Sequence, residues 1–279
     1  MINSNLHTHS LYCDGKSPLN TYVEKAIALG FDSLGFSSHA PLPFKKLWAM
    51  KTYNLEGYFD AIIELKENYQ GRIELYSGLE ADYIEGKVTP LTLKECYPKI
   101  DYLIGSVHFI HVSSLNKLVE IDGSHSKFLE SSKSEGITPL IKQYYVAVRN
   151  MIKTQPIDIL GHLDKIKIQN GKTHLFNETD NWYKDEIEQT LEVIEESSVV
   201  LEINTRGIYK QLTTEPYPSW WVIEKAISKG IKLTISSDTH HPKELQLGFN
   251  EVIGKLKQMN CKNLYFLKNG KWVEESLSI

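Results

Sequence analysis

The chain alternates short, nearly continuous apolar runs with longer stretches whose apolar residues recur at helical spacing. The short runs predict strands over 5–9, 33–38, 73–78, 102–107, 157–161, 199–204 and 232–236. Several lack the polar alternation of a half-exposed strand, as expected of parallel strands buried on both faces. The helical spacing predicts helices over 19–30, 55–69, 137–154, 181–197 and 219–229. Gly30 and Gly230 stand where a helix commonly ends on a left-handed residue.

Repeated strand–helix pairs build right-handed βαβ units, in an open doubly wound sheet or in a barrel. No GxGxxG follows the first strand, which weakens the dinucleotide-binding sheet. Seven strands suit a barrel slightly short of eight repeats. Two stretches, 40–54 and 111–135, follow strands and are too long for plain βα turns. Such insertions form lids or walls over a binding site. The segment "NLYFLKNGKWVEE" sets an Asn-Gly turn between apolar-rich arms and predicts a hairpin. With no repeat, linker or low-complexity segment, residues 1–279 are expected to form one domain.

Composition narrows the function. The 279 residues are 41% hydrophobic and 24% charged, with a net charge of −4. That balance argues against a nucleic-acid binder working by bulk electrostatics, though a local basic pocket stays open. Cys13, Cys96 and Cys261 show no CxxC spacing, which points to a reducing compartment and away from a thiolate zinc site. No basic leader precedes an apolar run, and no apolar stretch approaches the roughly 18 residues of a membrane span. The expectation is a cytoplasmic protein that engages neither membrane nor nucleic acid.

The predicted strands share one chemical feature. The first ends in His7-Thr8-His9 with Asp14 close behind, and the second ends at His39. The third reaches Glu80, the fourth His108, the fifth His162, and the seventh Asp238 and His240. In a parallel barrel the C-terminal strand ends converge on one rim, so these residues become neighbours. The two-residue strand period puts His7 and His9 on one side, and likewise Asp238 and His240. A lone histidine at a strand end is usually a hydrogen-bonded surface or core residue. Six of the ten histidines and three carboxylates in one zone are a different matter. Burying so many ionisable groups together costs several kcal/mol per charge unless cations compensate. Divalent metals do so. His111 and His125 lie in the long fourth loop, while His174 and His241 carry no metal signal.

The motifs "HTHSLYCDG" (7–15), "SSHAP" (37–41), "GLEADY" (78–83), "GSVHFI" (105–110), "GHLDKIK" (161–167), "LEINTRG" (201–207) and "SSDTHHP" (236–242) span almost the whole chain. In this order they resemble the PHP (polymerase and histidinol phosphatase) family, and within it the histidinol-phosphate phosphatase branch. The resemblance implies a distorted (β/α)7 TIM-like barrel with a trinuclear metal centre at the C-terminal strand ends. Carried over, His7, His9, Glu80 and Asp238 bind a first metal. Glu80 bridges to a second, completed by His108 and His162. Asp14, His39 and His240 bind the third, with Asp14 standing where many members of the family have histidine. "EIDGSHSKF" (120–128) resembles an insertion of the histidinol-phosphate phosphatase branch and is the main ground for naming a substrate.

Nitrogen and oxygen donors suit zinc, manganese, iron or cobalt. Two such ions sharing Glu80 would stand about 3.5–4 Å apart and hold a bridging hydroxide as nucleophile. Arg206 is one of only three arginines, and its fork fits phosphate oxygens. Lys167 is a second candidate for the substrate. The leaving alkoxide needs a proton, which Asp238 or His240 could deliver. For the amine and imidazole ends of a substrate, Glu120, Asp122, Phe44 and Trp48 are available. The expected reaction is L-histidinol phosphate plus water giving L-histidinol and phosphate, a step of histidine biosynthesis. The alternatives are another small phosphoester, such as a nucleotide or sugar phosphate, and a degenerate scaffold without catalysis.

Overall fold

A computed structural model describes residues 2–171 and 173–277. Its strands are β1 (Ser4–Asn5), β2 (Ser33–Phe36), β3 (Glu74–Asp82), β4 (Tyr102–Ser106), β5 (Phe109–Val112), β6 (Lys117–Glu120), β7 (Ile159–Leu160), β8 (Val200–Asn204), β9 (Leu233–Ser236), β10 (Asn263–Lys268) and β11 (Lys271–Ser276). Its α-helices are α1 (Leu19–Ala28), α2 (Leu55–Asn68), α3 (Pro90–Cys96), α4 (His125–Glu135), α5 (Ile137–Thr154), α6 (Asn181–Glu195), α7 (Arg206–Tyr209), α8 (Trp220–Ser228) and α9 (Phe249–Gln258).

Seven strands form one parallel sheet in the order β1-β2-β3-β4-β7-β8-β9. The sheet curls until its edges meet at a parallel bridge between Thr8 and Thr239. There His9 N–H donates to Thr239 O at 2.9 Å, and Thr239 N–H donates to His7 O at 3.0 Å. The result is the nearly closed (β/α)7 barrel expected from the sequence.

The barrel interior is built around Tyr102. Its ring is fully buried, and its hydroxyl donates to Leu6 O at 2.5 Å. Gly78 is its register partner on β3, and a Cβ there would lie 2.5 Å from the ring. A Cβ at Gly35 would lie 2.3 Å from the hydroxyl. Two side-chain-free positions on β2 and β3 thus make room for one large ring. Leu6, Tyr76, Ile104, Ile159 and Leu267 complete this cluster, with Trp272 packed against it.

Leu267 and Trp272 belong to the predicted C-terminal hairpin, which turns at Asn269 and Gly270, both with positive φ. The hairpin sits under the starts of β2 and β3. Ser33 Oγ donates to Leu267 O at 3.5 Å, and Asn269 N–H donates to Glu74 Oε2 at 2.9 Å. It floors the barrel at the end opposite the predicted rim of donors.

Outside the sheet, helices cover the strands with apolar faces. In α5, Leu140, Ile141, Tyr144, Tyr145, Val148, Met151 and Ile152 are buried, a spacing that lays one helical stripe against the sheet. Residues 111–135 hold more order than a loop: β5 and β6 pair antiparallel, and α4 follows. The helix α9 was not anticipated, although Phe249, Val252 and Leu256 bury one face of it.

Strands β1 and β7 are shorter than predicted because side chains take over their backbone partners. Asn5 Oδ1 accepts His7 N–H at 2.9 Å, and Glu202 Oε2 accepts His162 N–H at 2.8 Å. The ladder therefore stops where the polar rim begins.

Candidate metal centre

Each barrel strand except β8 delivers a predicted donor to the C-terminal rim. Asp14 arrives differently, on a tight turn after β1. Cys13 N–H and Gly15 N–H both donate to Ser10 O at 3.0 Å. Gly15 packs so closely on this turn that a Cβ would lie 2.5 Å from Ser10 N. The turn folds Asp14 back over the rim, where its Oδ1 lies 3.2 Å from His240 Nε2.

The nine predicted donors converge in three overlapping groups. In the first, Glu80 Oε2 is 3.3 Å from His7 Nε2 and 3.5 Å from His9 Nε2, while Asp238 Oδ1 is 3.8 Å and 3.2 Å from the same two nitrogens. In the second, Glu80 Oε1 is 3.4 Å from His108 Nε2 and 2.9 Å from His162 Nε2. The third gathers His9, Asp14, His39 and His240. His39 spans two groups, with Nδ1 2.9 Å from Glu80 Oε2 and Nε2 3.9 Å from Asp14 Oδ1. Glu80 presents Oε2 to the first group and Oε1 to the second.

The buried donor atoms fit divalent ions. His7 Nε2, His9 Nε2, Asp14 Oδ1 and His39 Nδ1 are buried without a hydrogen-bond partner, and all four point into these groups. Unpartnered buried polar atoms are costly, and several aimed at common points are what a metal cage requires. The all-nitrogen and oxygen set suits first-row divalent ions.

A supporting layer lay outside the predicted set. Glu202, 1% exposed on β8, receives His7 Nδ1 at 2.5 Å and is also bonded by Ser236 Oγ. Asp82 Oδ1 accepts from His108 Nδ1 at 3.0 Å and from His108 N–H at 3.1 Å. Asn204 Nδ2 donates to Asp238 Oδ2 at 3.2 Å. These partners fix ring orientation and turn Nε2 of His7 and His108 toward Glu80 and the donor groups. Two donor residues also carry unusual backbones, His162 at φ 25° and Asp238 at φ 48°. Non-glycine residues seldom adopt this region, and such strain concentrates at functional sites.

Charges within the cluster are strongly coupled. Burial disfavours a charged His7, but Glu202, Asp238 and Glu80 outweigh it and hold its pKa well above the ordinary imidazole value. Burial would raise the Glu80 carboxyl; His39, His7 and His108 keep it well below the carboxylate range. For His108, burial is outweighed by Asp82 and Glu80, lifting it to about 9. His9 goes the other way, pushed well down by burial and by His240 and His39.

The donors open onto a cleft of about 280 Å³. Its walls include the sequence insertions: Trp48 from 40–54 donates its indole N–H to Glu120 Oε1 at 3.1 Å, and Lys46 Nζ lies 2.8 Å from Glu120 Oε2. Trp48 also stacks on Phe109. Arg206 opens α7 on the cleft wall, held by bonds from Nη1 to Asp238 O at 2.8 Å and Tyr209 OH at 3.1 Å.

Lys167 is a correction. It was expected to bind substrate, but it is 4% exposed and does not line this cleft. Its Nζ is taken by Asp164 Oδ2 at 3.0 Å, Pro216 O at 2.7 Å and Ser219 Oγ at 2.7 Å. Lys165 reaches the cleft instead, 3.2 Å from Asp122 and 3.5 Å from His108 Nε2. The short 3₁₀ helix Lys165–Asn170 turns these two lysines to opposite sides.

Comparison with known proteins agrees with this geometry. The PHP domain family model matches residues 5–206. The chain belongs to the PHP family. Among curated relatives of this PHP protein, the histidinol-phosphatase of Bacillus subtilis is 31% identical over 251 residues, covering 84% of this chain and 92% of the relative. A probable histidinol-phosphatase of Deinococcus radiodurans is 25% identical over 263 residues, covering 93% and 95%. The fold matches a Listeria monocytogenes crystal structure with a TM-score of 0.79 at 21% identity, over 89% of this chain and 99% of the other. It also matches the histidinol phosphate phosphatase of Lactococcus lactis, with a TM-score of 0.73 at 20% identity over 97% and 98%. That structure was solved with zinc, L-histidinol and phosphate.

Proposed function

We propose that this PHP protein is a metal-dependent phosphomonoesterase that hydrolyses L-histidinol phosphate to L-histidinol and phosphate. The observation that carries the reading is the juxtaposition at one cleft of clustered histidine and carboxylate donors, two cationic side chains and an acidic, aromatic wall. The names of its full-length relatives support the same substrate. We further propose three ions drawn from zinc, manganese and iron, held by His7, His9, Glu80 and Asp238, by Glu80, His108 and His162, and by Asp14, His39 and His240. The assigned compartment is the cytoplasm, where a biosynthetic phosphatase meets its substrate.

Bound ions of this kind supply Lewis acidity toward phosphoryl oxygens and acidify water. The residues supply the rest. Arg206, fixed through Asp238 O and Tyr209, presents its guanidinium to the phosphate and holds the ester in line. Glu120 and Trp48 shape the wall that receives the alcohol portion. Of the two acid candidates, Asp238 is surrounded by cationic groups that favour its carboxylate form despite burial. Asp238 and His240 are both assigned to ions, so proton delivery to the leaving alkoxide is assigned to a cleft water beside His240, whose side chain borders the cleft and is 12% exposed.

Phosphate release from L-histidinol phosphate, nucleoside monophosphates, sugar phosphates and p-nitrophenyl phosphate tests the assignment. L-Histidinol phosphate is expected to lead by about tenfold or more in kcat/KM. Equal turnover of p-nitrophenyl phosphate would overturn the substrate; a better nucleotide or sugar phosphate would replace it.

A further inference from the structure

Lys165 and Asp122 line the cleft from different parts of the chain, one after β7 and the other in the insertion after β6. Their side chains lie 3.2 Å apart and are 13% and 20% exposed. Each is the other's ion-pair partner in a space too enclosed for water to replace it fully. Arg206, Asp238 and Glu120 line the same cleft, so a bound phosphate ester meets Lys165 and Asp122 together.

We propose that this ion pair is exchangeable, Lys165 passing to the substrate's phosphate while Asp122 passes to its ammonium group. The inference rests on the phosphatase reading above and extends it to selectivity. Removing one partner of a largely buried pair leaves an uncompensated charge, which is far more costly than exchanging both partners. A plain phosphate ester draws Lys165 away and strands the Asp122 carboxylate. A plain amine strands Lys165. A molecule carrying both charges replaces both partners at once, so the site selects phosphate esters of amino alcohols without a deep pocket for either end.

Calorimetric binding of inorganic phosphate and of L-histidinol, separately, to the metal-loaded protein tests this. Asp122→Asn is expected to tighten phosphate and weaken L-histidinol, while Lys165→Met does the reverse, each by about five- to tenfold. A misfolded variant would weaken both ligands, so the crossed pattern is its own control. General charge repulsion would make Asp122→Asn tighten phosphate equally in the Lys165→Met background; exchange requires that gain to disappear there. An equal gain in both backgrounds, or loss of both ligands in either single variant whose circular dichroism matches the wild type, overturns the exchange. If the wild-type protein fails to hydrolyse L-histidinol phosphate, the substrate assignment falls, yet the phosphate arm still reads the ion pair.

Discussion

Glu202 and His7 are joined by a 2.5 Å hydrogen bond between Oε1 and Nδ1, both side chains being at most 1% exposed. The carboxylate fixes the tautomer that turns Nε2 toward Glu80 and Asp238. Glu202→Gln is expected to lower metal affinity by about 10–100-fold, with turnover partly recovered at high metal concentration. Chelator competition measures the affinity, and an unchanged value would remove Glu202 from the metal centre.

The same pair sets a pH dependence. Burial lowers the His7 pKa, but Glu202, Asp238 and Glu80 together raise it well above the ordinary imidazole value. A proton on His7 Nε2 competes with an ion there. Metal affinity therefore falls as pH falls, beginning above the usual histidine range near pH 6.5. Metal titrations between pH 6 and pH 9 check the sign; affinity independent of pH across that window contradicts it.

Asp238 touches both His9 and the cleft. Asp238→Ala is expected to reduce kcat by at least about a hundredfold, with metal content lowered and circular dichroism nearly unchanged. Near-normal turnover would remove Asp238 from the site.

Gly78 faces the ring of Tyr102 with no room for a methyl group. Gly78→Ala should destabilise the barrel by about 1–3 kcal/mol. Urea unfolding measures it, and pairing the change with Tyr102→Phe should not relieve it, because the ring itself is the obstacle.

Lys167 and Lys165 separate structure from substrate binding. Lys167→Met leaves Asp164, which is fully buried, without its cation, and should cost about 3–5 kcal/mol of stability. KM is expected to stay within about twofold of the wild type. A raised KM at unchanged stability would return Lys167 to the substrate.

The donors were legible because they fall at or just beyond the C-terminal part of strands, and parallel strands must bring those parts together. His7, His9, Glu80 and Asp238 needed only that rule. Glu202 was hidden by its setting, a single carboxylate inside the apolar run "VVLEIN". A buried charge there was a signal in itself, since strand interiors do not tolerate one unpartnered. Asp82 follows Glu80 by two residues and shares its side of β3, which the strand period could have flagged. Lys165 and Lys167 could not be told apart, because the choice depends on a 3₁₀ turn after the left-handed His162. The order within 111–135 escaped for a similar reason: its hairpin has neither a strong turn pair nor long apolar arms.

The hairpin beneath β2 and β3 gives the barrel the topology of a blind well. Tyr102, Leu267 and Trp272 close the bottom, and the donors occupy the top. Exchange of ester, water and products is therefore confined to the rim side of the barrel. A phosphatase built on this well would release alcohol and phosphate on the side where Trp48 and Arg206 line the cleft, the side from which the next substrate enters.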